Sequence, residues 1–288
     1  MVMRYKLIGI DLDGTLLNDA GRVGAENLRA IAAAQKAGAV VVPCTGRAWR
    51  ESHLVLADTP GLDLGVFVSG AAISEMATGR SLDLAVIEPN LAHDVVQFLY
   101  DSPEAVLVFR DSHLAGHDYL VTGRGVLTAN THWWFKVSGA GVHHQQTVGP
   151  DDLHHTLRVG LVASEARMRE VTAQLKESFA DRLFMHYFGA VQLPDNAEPF
   201  FVLEIFAAGV DKWRGLSWLA RQQGVKPDEI AVIGDQINDL GMMRHAGCAI
   251  AMGNAIEQVK REARYVTRSN EESGVAYAIG QLLVGKWG

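Results

Sequence analysis

Residues 7–15, Leu-Ile-Gly-Ile-Asp-Leu-Asp-Gly-Thr, constrain the fold more than any other stretch of this chain. The uninterrupted apolar run reads as a strand buried on both faces, which is the signature of a parallel sheet covered by helices. The run delivers two carboxylates, Asp11 and Asp13, into a Gly14-Thr15 turn. Ligands of open α/β sheets bind at the carboxyl ends of the strands. Two acids packed there repel each other and perturb each other's ionisation unless a cation lies between them. The pair therefore points to a magnesium site with one carboxylate free to act as a nucleophile. The plainer alternative is an acidic strand-to-helix turn in which Asp13 caps the residues that follow.

The same punctuation recurs along the chain. Residues 25–37 read as an Ala-rich amphipathic helix ending at Gly38, and residues 39–43 as a second buried strand that stops at Cys44-Thr45-Gly46-Arg47. Residues 65–68 form a third short strand, closed by Ser69-Gly70. This β-α-β order implies a parallel sheet with right-handed crossovers. From about residue 84 the character changes. A helix over 90–102 precedes a strand at 106–109, a histidine- and aromatic-rich middle, a strand around 157–164, a helix over 165–178, and strands at 183–189 and 201–206. Strands outnumber helices in this stretch, which suggests an α+β unit with an antiparallel sheet. The βα alternation then resumes. An amphipathic helix opens at Asp211-Lys212 with Trp213, Leu216, Leu219 and Ala220 inward, followed by strands at 230–233 and 248–252 and a helix running through Arg264. The expected fold is an α/β, doubly wound, Rossmann-like parallel-sheet core from residues 1–83 and 208–288, interrupted by an inserted α+β unit over residues 84–207.

Bulk properties narrow the function. A chain of 288 residues allows one large or two medium domains, and 48% hydrophobic content suffices for a packed core. A net charge of −7 argues against non-specific nucleic-acid binding, which needs a basic face. Cys44 and Cys248 sit in apolar runs without metal-ligand spacing and read as buried free thiols. The apolar run at the N-terminus is short for a signal peptide, and no segment approaches a transmembrane length. A soluble cytoplasmic protein without nucleic-acid or membrane partners is expected. Nothing in the sequence bears on oligomeric state.

Four polar clusters carry the chemistry: Asp11/Asp13, Thr45, Lys212, and Asp235/Asn238/Asp239. Three lie just past a predicted parallel strand, so a doubly wound sheet brings them to one edge whatever their sequence separation. Lys212 opens a helix, where free N–H groups and the macrodipole already favour an anion. Carboxylates hold a hard cation, while ammonium and hydroxyl groups hold phosphate oxygens. Phosphoryl transfer needs those parts together with an in-line nucleophile. Each cluster alone has a bland explanation. Thr45-Gly46 could be a simple turn, Lys212 a solvated helix-start residue, and the 234–239 segment a set of Asx turns. Four such coincidences in this order are improbable.

Asp11-Leu12-Asp13-Gly14-Thr15, Cys44-Thr45-Gly46-Arg47, the lysine of Gly209-Val210-Asp211-Lys212, and Gly234-Asp235-Gln236-Ile237-Asn238-Asp239, in this order, resemble the haloacid dehalogenase (HAD) superfamily of phosphatases. The details are similar to its Cof-type branch, whose cap lies between the second and third motifs, and Ala251-Met252-Gly253-Asn254-Ala255 resembles that branch as well. Two departures are visible: Ser69 precedes Gly70 where the branch often has Asn, and Trp213 follows Lys212 where it often has Gly. The resemblance implies that Asp11 is the nucleophile forming an aspartyl-phosphate, and that Asp13 is the acid and base for leaving group and water. It implies a Mg²⁺ held by the carboxylates of Asp11 and Asp235 and the backbone carbonyl of Asp13, with Asp239 behind the ligands. Thr45, Gly46, Lys212 and Asn238 would bind phosphate. An acid two residues after the nucleophile favours a C–O–P substrate over a carbon–halogen bond, since halide needs no proton.

Arg47, Ser69, Gly70 and His186 are candidates for substrate contact, although Arg47 reads equally well as a surface arginine. His132, His143, His144, His154, His155 and His186 lack helical i, i+4 metal spacing and read mainly as a solvated loop. Trp133-Trp134-Phe135 and Phe184-Met185-His186-Tyr187-Phe188 read as hydrophobic core of the inserted cap, alternate members of the latter being free to face a ligand. The expected function is a Mg²⁺-dependent phosphatase for a small phosphorylated metabolite, a sugar phosphate or phosphorylated cofactor. A phosphotransferase or mutase using the same nucleophile, and a non-catalytic regulatory protein on the same scaffold, are the alternatives.

Overall fold

The computed structural model describes residues 4–189 and 200–288, and the chain forms two compact units, Met1–Asp83 with Asp211–Gly288 and Leu84–Val210. The first unit begins with β1 (Leu7–Ile10), in which every residue is buried, and a tight turn over Leu12–Leu16. α1 (Ala25–Lys36), β2 (Val40–Pro43) and α2 (Trp49–Leu56) follow, then β3 (Leu64–Phe67), β4 (Ala72–Glu75) and β5 (Ser81–Leu84), which form a three-stranded sheet. A single parallel bridge, Cys44 to Val66, links the end of β2 to β3. The third predicted strand therefore exists, but it ends one residue early. Val68, Ser69 and Gly70 have φ of 50°, 52° and 96°, three successive left-handed residues where an extended Val68 was expected. A β-branched residue at positive φ is a genuine outlier, and such strain persists only where the surroundings over-determine it. Here the constraint is contact: a Cβ on Gly70 would lie 1.9 Å from the carbonyl oxygen of Asp211, so this turn seats directly against the residue before Lys212.

The second unit contains α3 (Pro89–Leu99), β6 (Val106–Arg110), α4 (Ser112–Ala115), β7 (Tyr119–Thr122), α5 (Ala129–Ser138), β8 (Val142–His144), β9 (Thr156–Ala163), α6 (Glu165–Phe179), β10 (Leu183–Gly189) and β11 (Phe201–Ala207). Its strands pair in the order β10-β11-β9-β6-β7-β8, antiparallel throughout except for the parallel β7–β8 pair. Side chains alternate along a strand, and this alternation builds the core. Val106, Val108, Val159, Leu161, Leu203 and Ile205 pack with Val95 and Leu99 of α3 and Met168 and Leu175 of α6. Along β10, Met185 joins this core, while Phe184, His186 and Phe188 point to the opposite face. The expectation of a buried Trp133-Trp134-Phe135 cluster fails. All three lie half-buried on α5, and Phe135 packs on Tyr119 with ring centroids 4.9 Å apart. The histidines are likewise not one loop: His132 lies on α5, while His143 and His144 lie on β8 at the sheet edge.

The chain returns to the first unit with α7 (Lys212–Gln222), β12 (Ile230–Gly234), α8 (Leu240–His245), β13 (Cys248–Ala251), α9 (Glu257–Glu262), β14 (Tyr265–Val266) and α10 (Gly274–Leu283). Its main sheet is all parallel, in the order β14-β13-β12-β1-β2. Leu216, Leu219 and Ala220 form the buried stripe of α7, but the Trp213 indole instead stacks on His245, 5.5 Å away with 16° between planes.

Candidate active site

β1 lies between β12 and β2, so the loops leaving these three strands emerge side by side. Asp11 follows β1, Thr45 follows β2, and Asp235, Asn238 and Asp239 follow β12. Lys212 joins them from the first turn of α7, which Asp211 caps by accepting the Arg214 N–H at 2.8 Å. The Lys212 side chain is fully buried, and its Nζ donates to Asp11 Oδ1 and to Asp239 Oδ1, both at 2.6 Å. The other carboxylate oxygen of Asp239 accepts the backbone N–H groups of Asp235 and Gln236 at 2.8 and 2.9 Å. Gly234 makes that arrangement fit, because a Cβ there would lie 2.5 Å from the Asp239 carboxyl carbon. Asp235 Oδ1 accepts the Thr15 hydroxyl at 2.8 Å. Its Oδ2 sits where a Cβ on Gly14, at φ +74°, would come within 2.5 Å. Gly14 and Thr15 thus form a cradle around Asp235, a role the sequence reading did not give them although both lie inside its first motif.

Asp11, Asp235 and Asp239 each offer a carboxylate oxygen within 4.8 Å of the others. Three buried acids surround a single ammonium. Burial raises the Asp11 carboxyl well above its ordinary value, and Asp239 and Asp235 add to this against the pull of Lys212. Burial and Asp239 likewise push Asp235 up to about 6. Burial disfavours the Lys212 ammonium, yet Asp11 and Asp239 outweigh it and hold the charge on. The cluster therefore carries surplus negative charge that a proton or a hard cation relieves. The acidic, oxygen-only donor set around the cradled Asp235 fits Mg²⁺, the ion that phosphatases of this family generally use.

A second group lies on the β2 side. Thr45 is buried, its hydroxyl accepts the Arg47 N–H at 3.1 Å, and its carbonyl accepts the Ser69 N–H at 2.9 Å. A Cβ on Gly46 would stand 3.3 Å from Ser69 Oγ and 3.6 Å from Asn238 Nδ2, so these residues share one neighbourhood. Asn238 Oδ1 is buried without a hydrogen-bond partner among the described residues. Gly70 places its carbonyl oxygen 3.3 Å from Arg214 Nη1. Asp13 is turned away from the acid cluster. Its side chain is 53% exposed, and Arg47 holds it in a two-pronged ion pair, Nε to Oδ2 at 2.7 Å and Nη2 to Oδ1. That pairing is the role the structure gives Arg47. His186 belongs to the second unit, where its Nε2 lies 3.1 Å from Glu204 Oε2 and Glu204 also pairs with Arg158.

Acids on the ends of adjacent parallel strands, with one buried ammonium among them, are the arrangement that phosphoryl-transfer chemistry uses. The chain belongs to the haloacid dehalogenase-like hydrolases, whose family model matches residues 8–279, and it is a phosphatase of the Cof-type branch. It is 30% identical over 301 residues to the 5-amino-6-(5-phospho-D-ribitylamino)uracil phosphatase YwtE of Bacillus subtilis (strain 168), covering 98% of this chain and 99% of the relative. It is 26% identical over 259 residues to the HMP-PP phosphatase of Klebsiella pneumoniae (strain 342), covering 89% and 87%. Among solved structures, TM0651 from Thermotoga maritima matches with a TM-score of 0.72 at 25% identity, over 96% of this chain and 97% of that one. The HAD subclass IIB sugar phosphatase BT4131 shares the fold, with a TM-score of 0.75 at 21% identity over 97% and 99% of the two chains. No helix among the described residues is long and apolar enough to cross a membrane.

Proposed function

We propose that this phosphatase hydrolyses a small phosphorylated metabolite, a sugar phosphate or phosphorylated cofactor, in a Mg²⁺-dependent reaction through an aspartyl-phosphate on Asp11. One observation carries the reading: Lys212 Nζ holds Asp11 Oδ1 at 2.6 Å inside a buried cluster that also contains Asp235 and Asp239. A carboxylate fixed in that way is oriented for attack, and the same ammonium serves the charge of an arriving phosphoryl group.

In the first step an Asp11 oxygen attacks phosphorus, the phosphorus–oxygen bond to the leaving group breaks, and Asp13 gives that oxygen a proton. In the second, water attacks phosphorus and gives Asp13 a proton. The bond to Asp11 breaks, and inorganic phosphate leaves. Because Arg47 grips both oxygens of Asp13, proton delivery requires that grip to change when substrate enters. Thr45, the Gly46 backbone, Lys212 and Asn238 are assigned to the phosphoryl oxygens, with Ser69 and Gly70 bordering them. Asp11, Asp235 and the Asp13 carbonyl would hold Mg²⁺, with Asp239 supporting them, and the bound ion would neutralise phosphate charge.

Residues 84–207 are assigned as the cap that selects the leaving group, with His186 a candidate contact. The relatives' names, a ribitylaminouracil phosphatase and a sugar phosphatase, support a small-molecule substrate. The test is a phosphate-release screen across small phosphate monoesters with Mg²⁺, run beside EDTA and Asp11→Asn. Release should match substrate loss and vanish in both controls. Ordinary rates from Asp11→Asn would remove the nucleophile assignment, and substrate loss exceeding phosphate release would mark a phosphotransferase.

A further inference from the structure

The turn that follows β13 ties together the two loops that carry the acids. Met252 N–H donates to the Gly234 carbonyl and Ile256 N–H to the Asp235 carbonyl, each at 3.0 Å. From between them, Asn254 Nδ2 donates to the Gly14 carbonyl at 2.8 Å, across 240 residues of sequence. Asn254 Oδ1 accepts the Asn270 N–H at 3.0 Å. The Asn270 side chain then donates to Leu17 O at 3.2 Å and Asp19 Oδ1 at 3.1 Å. The amide of Asn254 can face only one way here, since a carbonyl needs its donor end and an N–H needs its acceptor end.

We propose that Asn254 is a positioning residue that sets the affinity of the acid cluster for its divalent cation, by locking the Gly14-Thr15 peptide against Asp235. Gly14 sits at φ +74°, where a residue without Cβ has the widest backbone freedom, so the direction of its carbonyl is not decided locally. That peptide leads straight into Thr15, whose hydroxyl bonds Asp235 Oδ1, while Gly14 itself faces Asp235 Oδ2. One oxygen of the carboxylate is therefore bonded, and the other closely flanked, by residues joined through a peptide whose far side Asn254 holds. Asn254 is exposed and absent from the hydrophobic core, yet both ends of its amide are engaged. Polar groups standing behind metal ligands orient them and tune the metal.

The inference rests on the Mg²⁺-dependent reading above, and the test separates the two. Mg²⁺ binding to the metal-free protein is measured by calorimetry for wild type, Asn254→Ala and Asn254→Ser, with the melting temperature of each metal-free protein recorded alongside. Removing the amide, whose bond to Gly14 acts through a ligand and whose bond to Asn270 does not, predicts Mg²⁺ binding weakened about 3- to 10-fold, with a smaller loss of metal-free stability. Asn270→Ala, which keeps the backbone donor to Asn254, should weaken Mg²⁺ less. Two results overturn the role: both Asn254 variants binding Mg²⁺ as tightly as wild type, or weakened binding matched by an equal loss of metal-free stability. The serine variant preserves the test should the alanine variant fold poorly. Wild type that binds no Mg²⁺ would instead overturn the cation reading of the site.

Discussion

Lys212→Met removes an ammonium from among three acids while leaving the buried volume nearly filled. The methionine thioether cannot replace either 2.6 Å hydrogen bond, so Asp11 and Asp239 each lose a charged partner in a fully buried place. Breaking a buried ion pair on one side destabilises by about 3–5 kcal/mol, which is about 6–20 °C in melting temperature for a unit of this size. The pH dependence is the sharper signature. Asp11 is already raised by burial, and Asp235 stands at about 6 from burial and Asp239, so both hold protons more tightly folded than unfolded. Stability from such groups is complete below the unfolded carboxylate range and is lost as pH rises toward the folded value. The loss is about 1.4 kcal/mol per group for each unit crossed. Without Lys212 the folded values rise further, so the deficit should be small near pH 5 and largest near pH 8. Urea unfolding of metal-free wild type and variant across pH 5–8 measures it. A deficit that is constant with pH, or greatest at pH 5, would refute the view that the ammonium chiefly offsets surplus carboxylate charge.

Two further outcomes follow from the same geometry. Because Asp235, at about 6, and Asp11, raised by burial, must both be deprotonated to ligate, Mg²⁺ affinity should fall by at least about tenfold per pH unit below 6; calorimetry showing equal affinity at pH 5 and 8 would contradict this. Gly70→Ala forces a Cβ to within 1.9 Å of the Asp211 carbonyl at φ +96°, so it should destabilise by about 2 kcal/mol or more. It should also lower kcat/KM by displacing the start of α7; denaturant unfolding and steady-state rates together check it, and an alanine variant of full stability and rate would count against the contact.

The strands of the first unit were legible because a buried parallel strand is an apolar run with an abrupt polar end, and Leu7–Ile10, Val40–Pro43, Ile230–Gly234 and Cys248–Ala251 all have that form. β4, buried but carrying Ser74 and Glu75, the half-buried β5 and the short α2 lack that form, and no apolar run announces them. Trp133–Phe135 misled because large aromatic side chains suggest a core whatever face of a helix they occupy. Val68 was read as extended because no local pattern announces a left-handed valine. It opens the left-handed turn whose Gly70 lies against the Asp211 carbonyl.

Local order along the chain was enough to say where the acids would emerge, since an apolar run followed by Asp-Leu-Asp-Gly-Thr places carboxylates just beyond a buried strand in any sheet of this type. Which acids would share the lysine, that Asp13 would turn outward to Arg47, and that Asn254 would hold the Gly14 carbonyl were decided by the tertiary structure alone. Those pairings join groups 27 to 240 residues apart, and their energies depend on distances of a few ångströms and on exclusion of water, neither of which exists until the strands are side by side.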